Sequence, residues 1–89
     1  MLDLIHAYEN YLIKVKSASS NTVSSYMRDI RQFSDWLSVN ADADILHATQ
    51  LHISGYLEWL QQQGKSGATA SRNLASLKNF YSYAVSTGF

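Results

Sequence analysis

The chain has 89 residues, 46% of them hydrophobic, with seven basic and seven acidic residues that balance to zero net charge. That length holds one domain with a single modest core, burying about 60–65% of its unfolded surface, and the apolar share excludes a disordered chain. The absence of cysteine excludes disulfides and thiolate metal sites, and zero net charge excludes a uniformly basic nucleic-acid binder, so any affinity for polyanions must come from where charges sit.

No apolar run approaches the roughly 18 residues that a membrane span needs. The opening Met-Leu-Asp-Leu-Ile-His turns polar too early for a signal peptide. The expected setting is the cytoplasm.

Four segments show helical periodicity. The first, residues 2–16, aligns Ile5, Tyr8, Leu12 and Val15 on one face, with Lys14 and Lys16 in its last turn. "SASS" at 17–20 breaks it, and Ser20 is the expected N-cap of a second helix whose apolar stripe is Val23, Met27, Ile30, Phe33, Ser34 and Leu37. A polar connection, "SVNADAD" at 38–44, follows, and Ile45 and Leu46 are expected to dock it onto the core. Thr49 should cap a third helix over 50–63 with Ile53, Tyr56, Leu57 and Leu60 inward, and Gly64 should end it. Gly55 inside that helix costs about 1 kcal/mol against alanine, which predicts a close approach there. After the turn "GKSG", a fourth helix over 68–86 should bury Leu74, Leu77, Tyr81, Ala84 and Val85 with Phe80 beside them, and stop at Gly88. The expected fold is all-α, a single domain over 1–89.

Catalytic constellations are missing from this pattern. His47 and His52, five apart, would point roughly 140° apart on a helix and make a poor metal pair. Asp42 and Asp44 form a bare D-x-D without the further ligands of a calcium loop. "GKSG" fails the phosphate-loop spacing because Trp59 stands where the first glycine would be. Neither a metal nor a cofactor is expected.

Two polar faces stand out instead. On the second helix Ser24, Ser25, Arg28, Arg31, Gln32 and Asp35 share one sector. On the fourth, Thr69, Arg72, Ser76 and Asn79 line a stripe, with Ser71, Lys78 and Ser82 beside it, and that helix has no acid at all. Faces rich in Arg, Asn, Gln, Ser and Thr and poor in carboxylates suit phosphate and base-edge contacts. An ordinary solvent face is the other reading, although such faces usually carry Glu–Lys pairs.

The order of these features resembles the N-terminal core-binding domain of the tyrosine recombinases, the phage integrases and Xer-type resolving enzymes. The matching stretches are "NTVSSYMRDIRQFSDWL", "YLEWLQQQG" before a glycine-rich turn, and "ATASRNLASLKNFYSYAVSTGF". The resemblance spans essentially the whole chain. It implies a four-helix orthogonal bundle of the SAM-like class that lays its second and fourth helices across double-stranded DNA. By motif position the DNA contacts would be Asn21, Thr22, Ser25 and Arg28 on the second helix, then Lys65, Thr69, Arg72, Ser76 and Asn79 on the turn and fourth helix. Tyr26, Asp29, Phe33 and Trp36 would be structural, with Asp29 holding a hydroxyl or backbone group near Thr22 or Tyr26.

The resemblance further implies that this domain is not itself an enzyme. The family's catalytic residues and nucleophilic tyrosine belong to a separate C-terminal domain, which this chain lacks, and its end at Phe89 reads as an excised piece of a longer recombinase. The implied partners are the recombination site, the chain's own catalytic domain and neighbouring protomers in the synapse, with no membrane. On this reading Arg72→Ala should weaken DNA binding and leave melting unchanged. The competing class is a helical protein–protein module anchored by Trp36 and Trp59.

Overall fold

Small polar residues open every helix after the first. The computed structural model describes residues 2–88, with side chains from residue 4 onward; Met1 of the opening stretch and Phe89 of the last motif lie outside the described residues. Helix α1 spans Leu2–Lys14, α2 Ser20–Asn40, α3 Gln50–Gln62 and α4 Gly67–Ser86, with a 3₁₀ turn at Ile45–His47 between α2 and α3. The fold is all-α, and the described residues contain no strand.

Helix α2 begins one residue earlier than expected. Its cap is Ser19, whose extended backbone lets its Oγ accept from the Thr22 amide at 3.2 Å, leaving Ser20 as the first helical residue. Ser66 does the same for α4, accepting from the Thr69 amide at 3.2 Å. Thr49 caps α3 in a reciprocal box, where His52 Nδ1 accepts from the Thr49 amide at 3.1 Å. Asp44 caps the 3₁₀ turn through the amides of Leu46 and His47. Each cap satisfies amides that the start of a helix leaves without partners. At the far end of α3, Gly64 adopts φ +80°, the left-handed conformation that a side chain disfavours. Helix α2 runs on to Asn40, so the polar connection is shorter than "SVNADAD" implied; the Asn40 amide group donates to the Trp36 carbonyl at 3.1 Å.

The core draws on all four helices. Tyr8 and Leu12 of α1, Met27, Ile30, Phe33 and Leu37 of α2, Tyr56 and Leu60 of α3, and Leu77 and Phe80 of α4 are buried together. Burying a side chain such as Phe33, Leu37 or Phe80 contributes about 1.5–3 kcal/mol relative to leaving it in water. Phe80 meets the Tyr8 ring edge-on with centroids 5.2 Å apart. Ile45 is buried as expected, and the Tyr81 hydroxyl donates to its carbonyl at 2.6 Å, tying the connection to α4. The close approach expected at Gly55 is made by a ring: a Cβ there would stand 3.2 Å from Trp36 Cη2.

Two apolar expectations fail. Val15 is exposed because α1 ends before it, and Val85 is exposed because the inward face of α4 is turned. That face is Asn73, Ser76, Leu77, Phe80 and Ala84, not the wholly apolar set centred on Leu74 and Tyr81, both of which are half-buried. Two polar side chains occupy core positions on α4. They meet the partners described next.

Candidate nucleic-acid interface

Asp29 precedes Ile30 on α2, which places it at the margin of the apolar stripe where α2 meets α4. Its side chain is completely buried. A buried carboxylate needs charge and hydrogen-bond partners, and α4 supplies both from positions one turn apart. Arg72 donates through Nε to Asp29 Oδ2 at 3.1 Å and through Nη2 to Oδ1 at 2.9 Å, while Ser76 Oγ donates to Oδ2 at 2.8 Å. The hydrogen bond to Asp29 holds the Arg72 guanidinium above its ordinary pKa, more strongly than desolvation lowers it. The Arg72 side chain is nevertheless 40% exposed. One edge of the guanidinium is paired inside, and the rest faces water.

Tyr56 of α3 extends this polar seam. Its hydroxyl donates to Asn73 Oδ1 at 2.9 Å, with Gln32 Oε1 of α2 a longer second acceptor at 3.2 Å. Asn73 Nδ2 in turn donates to the Thr69 carbonyl at 2.9 Å. Burial, and then the nearby charge of Asp29, push the Tyr56 phenol well above the ordinary tyrosine pKa, with Arg72 opposing. Helices α2, α3 and α4 are thus joined through directional bonds at one place, and geometry there is fixed more tightly than apolar packing alone would fix it.

The nine residues singled out from sequence divide on this frame. Asn21, Thr22, Arg28, Lys65 and Asn79 are exposed, and Ser25 and Thr69 are half-buried. Ser76 is a correction: it is wholly buried with its hydroxyl committed to Asp29, so it cannot reach a surface ligand. Arg72 is corrected in part, being tied to Asp29 as well as exposed. Asp29 is structural as expected but reaches across to α4, not along α2 to Thr22 or Tyr26. Asn73 was missed altogether; its one sequence signal is its spacing with the apolar Leu77, Phe80 and Ala84, four, seven and eleven residues on.

The starts of α2 and α4 are built alike. In each a serine cap also donates its hydroxyl hydrogen to the threonine three residues on, Ser19 to Thr22 Oγ1 at 3.0 Å and Ser66 to Thr69 Oγ1 at 3.2 Å. Each threonine hydroxyl therefore keeps its own hydrogen for another acceptor. Neither helix has an acid in its first turn, so nothing there offsets the positive end of the helix dipole, a setting that favours anions. Arg31 pairs with Glu9 at a loose 3.8 Å across α1 and α2.

Among the described residues no three His, Asp or Glu side chains gather as a metal site. His47 lies against Asp44 at 2.7 Å, and His52 belongs to the α3 cap. No described helix is long and apolar enough to cross a membrane.

Comparison with known proteins agrees with this reading of the fold. The family model described as "Phage integrase, N-terminal SAM-like domain" matches residues 5–88. TTE1313, a candidate tyrosine recombinase of Caldanaerobacter subterraneus subsp. tengcongensis, is 40% identical over 80 residues, covering 90% of this chain and 27% of its own length. The tyrosine recombinase XerD of Listeria monocytogenes serotype 4b is 33% identical over 91 residues, covering 99% of this chain and 30% of its own. Tyrosine recombinase XerC of Lacticaseibacillus casei is 31% identical over 80 residues, covering 89% and 27%. The chain thus spans less than a third of the length of the curated relatives it matches. No solved structure matches it. With its four helices, its motifs and 84 matched residues from 5 to 88 in agreement, the chain belongs to the phage-integrase N-terminal SAM-like domain family, and the relatives it resembles are tyrosine recombinases.

Proposed function

We propose that this chain is the DNA-binding, non-catalytic N-terminal domain of a site-specific tyrosine recombinase. It clamps one arm of the recombination site and positions a separate catalytic domain, with neighbouring protomers touching it in the assembled synapse. The observation that carries this reading is the pair of acid-free, serine-capped starts of α2 and α4, on helices bridged by Asp29 and Arg72. Phosphates would be received by those helix starts, by Thr22 and Thr69, and by Arg28, Lys65 and the open edge of Arg72; Asn21, Ser25 and Asn79 would add polar contacts. The tyrosine-recombinase names of the relatives support the same assignment. The chain's six tyrosines have no part in strand cleavage, and the cytoplasm is the working compartment.

A salt titration with a site-bearing duplex tests the reading. If about four phosphates are neutralised, log K should fall with log salt at a slope near −3.6. No binding at low salt, or binding without a slope, would overturn it. One observation favours a protein-docking surface instead: Trp36, Trp59 and the largely exposed Val39 line a shallow hollow together with Gln32, Asp35 and Asn40. Amide-shift mapping with duplex separates the two, since DNA should move Ser25, Arg28, Arg72 and Asn79 together and leave Val39 still.

A further inference from the structure

The buried Asp29 has a consequence for what Arg72 can do. A guanidinium has five N–H donors in a rigid plane, and two of them are committed to Asp29. The remaining three stay available on a side chain that is 40% exposed. Ser76, wholly buried, also donates to Asp29 Oδ2, the oxygen that receives Arg72 Nε. We infer that Asp29 is a positioning residue for the nucleic-acid interface: it presents the free edge of Arg72, already oriented, to a backbone phosphate. This rests on the DNA-binding reading above and adds a role for an acid that never touches the ligand.

Asp29 acts by pre-organisation. A free arginine on a helix loses rotamer freedom when it is ordered by a ligand. Here much of that ordering precedes binding, because a two-point contact to a buried carboxylate that Ser76 also holds leaves the planar group little freedom to turn. The carboxylate also draws on the guanidinium without competing for its outer edge, since Asp29 itself is closed to solvent.

This arrangement makes a prediction opposite to simple charge counting. Removing an acid from a protein that binds a polyanion should tighten binding, as Asp35→Asn should do: Asp35 is an exposed acid on the same helix and has no bond to Arg72. Asp29→Asn removes the same charge but loosens Arg72. With folding checked by melting, Asp29→Asn should weaken duplex binding about tenfold and flatten the salt slope by about 0.9, while Asp35→Asn strengthens binding. If folded Asp29→Asn binds as tightly as the unmodified chain or tighter, the inference is overturned.

A second measurement needs no variant. In the unmodified chain, the Arg72 Nε–H resonance should stay in place when duplex is added, while the Nη resonances shift. Release of Nε–H from Asp29, or no response from any Arg72 resonance, sinks the inference even if Asp29→Asn does not fold. Failure of the unmodified chain to bind duplex at all would remove the DNA-binding reading, and this inference with it.

Discussion

On α2 the side chains of Asn21, Thr22 and Arg28 face solvent, while on α4 Asn73 and Ser76 are buried and Arg72 is half enclosed. The two helices draw on the same polar residue types and share the same serine–threonine start. They differ in what opposes them. Among the described residues Asn21, Thr22 and Arg28 have no hydrogen bond or ion pair to another helix, whereas the polar stripe of α4 meets a buried carboxylate from α2 and a buried phenol from α3. Polarity on a helix therefore reports only that a partner is needed. Water is one partner; a complementary group in the core is another.

The largest test of this contrast is Arg72→Ala. It leaves Asp29 buried beside a single hydroxyl donor, and breaking a buried pair from one side costs 3–5 kcal/mol. Because Arg72 is partly exposed, water can enter in its place, and we expect about 3 kcal/mol, near the low end of that range. In a domain of this size the melting temperature should fall by over ten degrees, at about 4–8 °C per kcal/mol. This replaces the expectation, drawn from sequence, of an unchanged melt. An unaltered melting temperature would show that the ion pair contributes nothing to the fold.

Two buried tyrosines provide the next comparison. Tyr56 and Tyr8 are both wholly buried, but the Tyr56 hydroxyl bonds to Asn73 while the Tyr8 hydroxyl has no partner among the described residues. Tyr56→Phe leaves the Asn73 carbonyl oxygen without its donor and should cost about 1–2 kcal/mol. Tyr8→Phe removes an unpaired hydroxyl from the core and should be neutral or stabilising by up to about 1 kcal/mol. Denaturant midpoints for the pair decide the matter, and equal losses would mean that the bond to Asn73 has no special weight.

Alkali reads out the same groups. Burial raises the pKa of Tyr8, Tyr56 and Tyr81 in the folded chain. Above the unfolded value near 10, the unfolded chain has released phenolic protons that the folded chain retains, so stability is full below that pH and falls as pH rises. Each tyrosine contributes about 1.4 kcal/mol per pH unit to the decline. Melts between pH 9 and 12 should show it, and Tyr8→Phe should make the slope shallower. A flat profile would mean that the phenols open to water before the fold is lost.

The two helix starts make a smaller, symmetric test. Ser19→Ala and Ser66→Ala should each cost about 1 kcal/mol, since each removes the acceptor for one threonine amide. Similar losses support equivalent caps; a loss confined to α4 would tie the effect to the seam beside it, where the Thr69 carbonyl also receives Asn73.

Helix number, the caps at Thr49 and the stop at Gly64 were legible from sequence because they depend on residues within a few positions of one another. The Ser19 cap lay one residue from the expected one because "SASS" offers adjacent serines with the same chemistry. The inward face of α4 was misplaced for a different reason. Asn73 and Ser76 look like outward residues on a helical wheel, and what turns them inward, Tyr56 and Asp29, lies 17 and 47 residues away. With Ser76 assigned to the polar stripe and Asn73 left out of account, the expected apolar stripe ran toward Leu74 and Val85. The exposure of Asn21, Thr22, Arg28, Lys65 and Asn79 follows from local pattern alone; the pairing of Arg72 and the burial of Ser76 follow from a tertiary contact that no local pattern encodes.

Arg28→Ala should have the smallest effect on the fold and is for that reason the sharpest counterpart to Arg72→Ala. Arg28 is exposed on α2 and has no ion pair among the described residues, so its loss should change stability by less than about 0.5 kcal/mol. If it meets a phosphate, the salt slope of duplex binding should flatten by about 0.9 while the melt stays where it was. Arg72→Ala should move both quantities, because that side chain has an inner edge in the fold and an outer edge toward the ligand. Should Arg28→Ala leave the slope unchanged, the outer face of α2 is only solvated, and the nucleic-acid contacts would have to come from α4 and the turn before it.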